Sequence, residues 1–219
     1  MKIGDIELKW LGHSGFLIRN SKIIYIDPYN IKETNEKADF ILITHGHYDH
    51  CSVADMEKII KEGTKIIVTA DSQSKVNRFK IPIEIIIVEP NQELNFNDIK
   101  ILTLPAYNTD KPFHAKDEGW VGFLIKMNGT LVYHAGDTDK IPEMQKLTGY
   151  NTENFVAILP IGGRMTMSAE EASDAAKLIK PTVAIPMHYG SVIGTQEDAN
   201  YFIKLCKENG IKAEILEKS

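Results

Sequence analysis

The sequence predicts a single-domain α/β or α+β fold in which two β-sheets pack face to face and helices lie outside them. Short apolar runs, which indicate buried strands, dominate each half of the chain. Segments with helix-capping residues come late in each half. No linker, low-complexity segment or short-period repeat divides the 219 residues, and single-domain sandwiches reach this length.

The first half of the chain contains mainly strands and one helix. A helix over residues 52–62 is predicted because Ser52 and Asp55 resemble a capping box, and Gly63 is expected to stop it. The first two strands are expected to pair as a hairpin. The predicted strands cover residues 6–18, 22–26, 40–44, 65–69 and 84–88.

The second half repeats this order. Asn128 and Gly129 separate two apolar runs and predict a hairpin with a type I′ turn, which needs positive φ at both central residues. Ser168 and Glu171 form a capping box at the start of the next helix. The predicted strands cover residues 99–104, 121–127, 130–134, 155–159 and 182–185, and the predicted helices cover residues 168–180 and 196–209.

Composition argues against several classes of protein. Apolar residues make up 43% of the chain and charged residues 25%, which is close to the globular average. A net charge of -5 without a Lys/Arg run argues against nucleic-acid binding, which needs cations that neutralise phosphates. Residues 1–7 lack the apolar core of a signal peptide, and no stretch predicts a membrane span. Since Cys51 and Cys206 show no paired spacing, we expect a reducing, cytoplasmic setting.

The strongest chemical pattern is Thr-His-Gly-His-Tyr-Asp-His at residues 44–50. It follows a predicted strand and precedes a capped helix, the context in which such a motif carries weight. Three imidazoles and one carboxylate in six residues are hard to explain structurally, and both groups suit zinc and similar ions. Gly46 is expected to let the backbone turn tightly, so that His45 and His47 converge on one ion.

This segment resembles the H-x-H-x-D-H signature of the metallo-β-lactamase superfamily, whose fold is an αββα sandwich. The resemblance covers nearly the whole chain, and it points to the branch of small zinc-dependent hydrolases related to ascorbate-6-phosphate lactonase. The signature is specific for the superfamily but not for a substrate, because one fold hosts many reactions. Other stretches that look like landmarks of this branch are residues 11–16, 26–28, 134–138, 159–163 and 185–189.

The resemblance implies a pair of metal ions, expected to be Zn²⁺, with Mn²⁺ or Fe²⁺ as alternatives because first-row ions share these ligands. Taken alone, Asp137 could equally be a turn residue and His188 a core histidine. Together with the histidine-rich segment, both are expected to be ligands. The implied ligands are His45 and His47 for the first ion, Asp49, His50 and His188 for the second, and Asp137 as a bridge.

One departure from the family pattern affects the first ion. Asn108 stands where the family usually has a third histidine, and Asn is a poor zinc ligand. His114 follows six residues later in a loop, and we expect it to complete the first site. If His114 is instead a solvated loop residue, a one-metal enzyme or a different metal becomes plausible.

Some further side chains are candidates for contacting the substrate or supporting a ligand. His13 lies in a loop flanked by glycine, and His134 precedes Asp137 by three residues. For both histidines, ordinary structural hydrogen bonding is the interpretation that the sequence slightly favours. The full set of these candidates is His13, Tyr107, Asn108 and His134.

The predicted function is metal-dependent hydrolysis of a small molecule by activated water, with Asp49 as the catalytic carboxylate. Lys111, Lys116 and Arg164 lie in candidate substrate loops and would favour an anionic substrate, such as a sugar phosphate or phosphodiester. The expected substrate class is a lactone or a phosphoester. A phosphodiesterase or nuclease is an alternative within the superfamily. A non-catalytic metal- or ligand-binding protein is the alternative from another class, and it depends on the missing histidine at Asn108.

Overall fold

The fold consists of two mixed β-sheets that pack face to face. The structure is a computed structural model, and it describes residues 1–150 and 153–219. The first sheet is antiparallel among its first four strands and parallel from the fourth to the seventh. In spatial and chain order, its strands are β1 Lys2–Ile3, β2 Ile6–Gly12, β3 Gly15–Arg19, β4 Ile23–Ile26, β5 Phe40–Leu42, β6 Lys65–Val68 and β7 Glu84–Ile87.

The second sheet has the same kind of mixed topology. Its first four strands are antiparallel, and the last two join in parallel. Asn128 and Gly129 have φ values of 47° and 74°, so the predicted turn with two left-handed residues is confirmed. In spatial and chain order, its strands are β8 Glu93–Phe96, β9 Ile99–Pro105, β10 Val121–Met127, β11 Thr130–His134, β12 Phe155–Pro160 and β13 Val183–Met187.

The helices cover the outer faces of the two sheets. Alternate residues of β3 face opposite ways, so Phe16 and Ile18 enter the core shared by the sheets while Leu17 packs in the cluster that contains Met56 of α1. Each such fully buried side chain contributes roughly 1.5–3 kcal/mol of transfer free energy. The αββα layering predicted from the family resemblance is therefore confirmed. The helices are α1 Val53–Ile59, α2 Gln73–Val76, α3 Ala169–Ile179 and α4 Gln196–Glu208.

Two predicted elements are corrected by the structure. The predicted strand over residues 6–18 is two antiparallel strands, because the chain reverses between Gly12, whose φ is 104°, and Gly15. The helix predicted over residues 52–62 begins as expected after Ser52, but it ends at Ile59, before Gly63. It ends early because Lys61 N donates to Thr64 Oγ1, which leads the chain into β6. The short strands β1 and β8 and helix α2 were not predicted.

The described helices lack the length and apolar character that crossing a membrane would require.

Several strands of the two sheets end at one edge of the sandwich. Strands β5, β11, β12 and β13 have parallel neighbours, and the loops after β5, β11 and β13 carry all the predicted ligands except His114, which lies in the loop after β9. Carboxyl ends of parallel strands are a recurrent place for ligand sites in α/β folds.

Candidate metal centre

Two groups of histidines and carboxylates converge at this edge of the sandwich. In each group, the potential ligand atoms all lie within 4.8 Å of one another. A third such group, made of His45, His50 and Asp137, links the two. The first group is His45, His47 and His114, and the second is His13, Asp49, His50 and His188.

The first group includes the histidine from the loop between β9 and β10. His114 is buried, and its Nδ1 lies 2.9 Å from Met165 O, a carbonyl that can only accept a hydrogen bond. Nδ1 therefore carries the proton, and Nε2 is left to face the site. Asn108 donates its side-chain amide to the same carbonyl at 2.7 Å. Asn108 thus lies beside His114 and helps to hold the carbonyl that orients it.

Asp137 connects the two groups of ligands. Its Oδ2 lies 3.0 Å from His188 Nε2, 3.3 Å from His114 Nε2 and 3.4 Å from His50 Nε2. Donor atoms about 2.1 Å from a common ion, at tetrahedral or octahedral angles, are roughly 3.0–3.4 Å apart. These spacings therefore match those of groups that share a cation.

Several buried atoms in the site have no hydrogen-bond partner among the residues that the structure describes. They include His50 Nε2, His114 Nε2 and Asp137 Oδ1. Buried polar atoms are nearly always paired, so unpaired ones need a specific explanation. Since all three belong to groups that can hold a cation, the donor set fits a metal site.

Asp27 orients the rings of His50 and His45 by fixing their Nδ1 atoms, a role that the sequence did not reveal. It is fully buried, and its Oδ2 lies 2.8 Å from His50 Nδ1 and accepts from Thr44 Oγ1 at 2.6 Å. Because the Thr44 hydroxyl donates to Asp27, it accepts from His45 Nδ1 at 3.0 Å. Both rings consequently present Nε2 to the site, the arrangement usual for metal-binding histidines. The pair Asp27-Pro28 was visible in the sequence only as a family landmark.

Asp71 anchors the loop that carries the histidines, a role that was not predicted from the sequence. Its Oδ2 accepts from Gly46 N at 2.8 Å and from Trp120 Nε1 at 3.0 Å. A Cβ at Gly46 would collide with this carboxylate. Gly46 is therefore needed for the close approach of Asp71. Its φ is not in the left-handed region, so the expected tight turn is not the reason for glycine here.

The pKa values of the histidines shift in two directions. Burial lowers the pKa of His45 well below its usual value and lowers that of His114, so both rings are neutral near pH 7, the form that binds metals. Burial acts in the same sense on His50, but Asp137 and Asp27 outweigh it and raise the pKa well above the usual value. A cation in the site would compete with this proton, since metal binding releases protons from its ligands.

The carboxylates remain ionised. For Asp49, burial acts to raise the pKa, but the hydrogen bond from His13 and the charge of His50 lower it to about 2. For Asp137, His188 and His50 overcome the effect of burial and hold the pKa well below its usual range. Both side chains can therefore act as anionic ligands at neutral pH.

The remaining candidates lie around the site rather than within the two groups. His134 is buried; Gly136 N donates to its Nδ1 at 3.3 Å, so its Nε2 donates to Ser14 O at 2.9 Å. Tyr107 is also buried, and its hydroxyl donates to Glu143 at 2.9 Å. His134 thus supports the turn that carries His13, and Tyr107 directs its hydroxyl to a carboxylate.

The cations expected to attract substrate differ in their freedom. Lys111 forms ion pairs with Asp139 and Glu171, and Lys116 pairs with Glu143 at 3.1 Å. Arg164 is exposed, and within residues 1–150 and 153–219 no carboxylate pairs with it. It directly precedes Met165, whose carbonyl orients His114. Of these three cations, Arg164 is the one whose charge is not neutralised.

Comparison with known proteins agrees with this architecture. Residues 7–188 match the family model described as the β-lactamase superfamily domain. A UPF0173 metal-dependent hydrolase of Archaeoglobus fulgidus is 33% identical over 223 residues, which cover 96% of this chain and 95% of that protein. The chain belongs to the UPF0173 metal-dependent hydrolases of the β-lactamase superfamily.

Solved structures resemble this hydrolase along almost its whole length. A protein of Parabacteroides distasonis assigned as a metal-dependent hydrolase superposes with a TM-score of 0.84 at 28% identity, covering 98% of this chain and 94% of the other. Igni18, a metallo hydrolase of Ignicoccus hospitalis, gives a TM-score of 0.80 at 29% identity, covering 98% and 96%. The predicted superfamily and hydrolase class are therefore confirmed.

Proposed function

We propose that this hydrolase holds two zinc ions and uses activated water to hydrolyse a small anionic molecule, such as a phosphoester or a lactone that carries an anionic group. The observation that carries the proposal is the pair of ligand groups joined through Asp137, whose Oδ2 lies within 3.4 Å of three imidazole nitrogens. A reducing, cytoplasmic setting is part of the proposal, and the free thiols of the buried Cys51 and Cys206 are compatible with it.

The protein side chains divide the work of binding the ions. His114 would take the place of the histidine missing at Asn108, and Asp137 would help to hold both ions. When bound, the ions supply water that ionises near neutral pH and polarise the oxygen under attack. The proposed ligands are His45, His47 and His114 for the first ion, and Asp49, His50 and His188 for the second.

Asp49 is the proposed catalytic carboxylate. Its pKa of about 2 makes it a poor proton acceptor at neutral pH, so we assign it to binding and to orienting the attacking water. The side chain is mostly shielded from solvent, and the neighbouring Tyr48 is exposed. A substrate approaching from the Tyr48 side would therefore meet Asp49 at the entrance to the site.

An anionic substrate is proposed because of the loop at residues 162–166. Arg164 lies there as an exposed cation that pairs with no carboxylate of the described residues, and it adjoins the carbonyl that orients His114. A guanidinium binds carboxylates and phosphates through two parallel hydrogen bonds, which favours these groups over neutral ones. The substrate would thus place its anionic group toward this loop and its scissile bond between the ligand groups.

The test combines metal analysis with hydrolysis assays. The purified chain, reconstituted separately with Zn²⁺, Mn²⁺ and Fe²⁺, is expected to bind two ions and to hydrolyse an anionic lactone or phosphodiester in a panel that also contains a thioester. His47→Ala should lower turnover more than about 100-fold. The exposed Lys126→Ala on β10 is the matched control and should be unaffected. Two bound ions with no turnover on any substrate would contradict the proposed substrate class.

A further inference from the structure

The turn between β2 and β3 brings a histidine to the metal centre that the superfamily signature does not include. His13 is 2% exposed, and its Nε2 lies 2.9 Å from Asp49 Oδ2. Its ring centroid is 4.2 Å from that of His188 and 5.6 Å from that of His50. The ligand-type atoms of all four side chains fall within 4.8 Å of one another.

We propose that His13 is a direct ligand of the second metal ion, alongside Asp49, His50 and His188. This inference rests on the proposed function, because it assumes that the second ion is bound. It gives that ion three imidazoles and one carboxylate from the second group, with Asp137 as the bridge to the first.

The choice of oxygen on Asp49 favours ligation over a purely supporting role. Asp49 Oδ2 faces both His13 Nε2, at 2.9 Å, and His50 Nε2, at 3.7 Å. A histidine that only supported Asp49 would be expected to bond the oxygen turned away from the ion. His13 instead meets the oxygen that faces the other ligands, at a spacing close to that of two donors on one ion.

The backbone around His13 is built to hold the ring in this place. His13 and His188 both adopt left-handed conformations, with φ values of 52° and 62°. Such residues are uncommon outside glycine, and they persist where the surroundings determine them, often at functional sites. His188 N donates to His13 O at 3.0 Å, so one hydrogen bond joins the two unusual residues across the two sheets.

Two neighbours add to this support. Trp10 Nε1 donates to His13 O at 2.9 Å, and the Trp10 ring stacks on Tyr189 with centroids 4.9 Å apart. His134 holds the next residue of the turn through Ser14 O. The turn is therefore tied to both sheets, and the direction of the His13 side chain is determined by the fold.

The test uses variants that separate ligation from hydrogen bonding. In His13→Gln, the amide nitrogen can still donate to Asp49, but an amide is a poor ligand for zinc. His13→Ala removes both interactions. Lys218→Met is the matched control, because the Lys218 side chain lies against Gly12 beside His13 and Lys218 is not one of the proposed ligands.

Zinc content and affinity are measured by competition with a chelator, and imidazoles per ion by X-ray absorption. Wild type and Lys218→Met are expected to hold two ions. Both His13 variants should bind the second ion at least about 10-fold more weakly and keep the affinity of the first. With both ions bound, they should lose one of the six proposed imidazoles, which lowers the average by about half an imidazole per ion. Wild-type affinity in His13→Gln, with weakening only in His13→Ala, would overturn ligation in favour of a supporting role.

An anomalous-scattering structure of the zinc-loaded wild type gives a readout that does not depend on whether a variant folds. His13 Nε2 within about 2.2 Å of the second ion would support the proposal, and a separation beyond 3 Å would overturn it. If the wild type fails to bind two ions, the proposed function fails. If it binds two and His13 is distant from both, this inference alone fails.

Discussion

Asp27 is the residue on which the orientation of two histidines depends. It reaches His50 directly and His45 through the hydroxyl of Thr44. Neither imidazole could present Nε2 so reliably without a fixed partner for Nδ1, because a free ring can adopt either tautomer. The affinity of the metal centre is therefore expected to depend on a carboxylate that does not face the metal.

Asp27→Asn tests this dependence. The amide keeps the volume of the side chain but loses the negative charge of the carboxylate, whose Oδ2 accepts hydrogen bonds from both Thr44 and His50. We expect metal affinity to fall about 10- to 100-fold, measured by chelator competition. Asp39→Asn is the control, because Asp39 binds Ile23 N and Lys61 and contacts none of the proposed ligands. Equal affinities in both variants would show that Asp27 does not tune the site.

Arg164→Gln tests the proposed anion contact. Losing a charge-assisted hydrogen bond should raise KM for an anionic substrate about 10-fold or more, with a smaller change in kcat. The cause is weaker binding of a group remote from the reacting bond. Lys116→Gln is the control, since Lys116 is already paired with Glu143. A KM that changes only in the Lys116 variant would place the anion contact elsewhere.

At the scale of elements, the loops after the parallel strands are held by contacts with their neighbours. Asp71, at the start of the segment that leads into α2, fixes the histidine-rich loop through Gly46 N. The N-terminus of α3 is fixed by its capping box, in which Ser168 Oγ accepts from Glu171 N at 3.3 Å. The cap of α3 is made within the first turn of the helix itself, so its contribution to stability can be tested apart from the loops that carry the proposed ligands.

Ser168→Ala separates these two contributions. Removing the cap should lower the free energy of unfolding by about 1 kcal/mol, because a helix N–H loses its acceptor. Urea denaturation of the metal-free protein measures the loss, and zinc content should stay at the wild-type value. The exposed Ser74→Ala in α2 is the control and should change neither quantity. A loss of zinc in Ser168→Ala would show that α3 and the site are coupled.

At the scale of the whole molecule, the proposed metal centre joins loops from both sheets. An ion that binds only the folded chain stabilises it by an amount set by its concentration relative to Kd, about 4 kcal/mol at a thousandfold excess. Chelation of zinc should therefore lower Tm by roughly 8–16 °C. Differential scanning calorimetry with and without EDTA measures the shift. An unchanged Tm would contradict a metal site that bridges the sheets.

The metal-free protein should lose stability as the pH falls from 6 to 5. Burial lowers the pKa of His13, His45, His114 and His134, so the unfolded chain takes up protons below about 6.5 that the folded chain refuses. Each contributes a slope of up to about 1.4 kcal/mol per pH unit. His50 has the opposite shift, a raised pKa, so it does not contribute to the loss of stability between pH 6 and 5. Its stabilisation is fully present below pH 6.5 and is lost only as the pH rises through the pKa of the folded state.

Urea denaturation in EDTA at several pH values measures this slope. His134→Gln should make it shallower, because His134 titrates outside the two ligand groups. The depressed carboxylates add little in this window, since their stabilisation is lost only at more acidic pH. A free energy of unfolding that stays constant between pH 6 and 5 would contradict the assignment of neutral, buried histidines.

Local pattern was sufficient for the layered fold and for most elements. Strands β10 and β11 and their type I′ turn follow directly from two apolar runs around Asn128-Gly129. The strand ends and short strands such as β8 were missed, because half-exposed strands of four residues carry little hydrophobic pattern. The tight reversal at Gly12 was also missed, since apolar residues continue on both sides of it.

The sequence by itself determined the family, the histidine-rich segment and the chemical type of the site, because these depend on residues close together in the chain. Only the tertiary structure decided that His114 joins His45 and His47, that Asp27 and Asp71 hold the proposed ligands, and that His13 reaches Asp49. The physical reason is that tautomers, burial and donor spacing are set by contacts between distant segments. Such contacts exist only once the two sheets have packed.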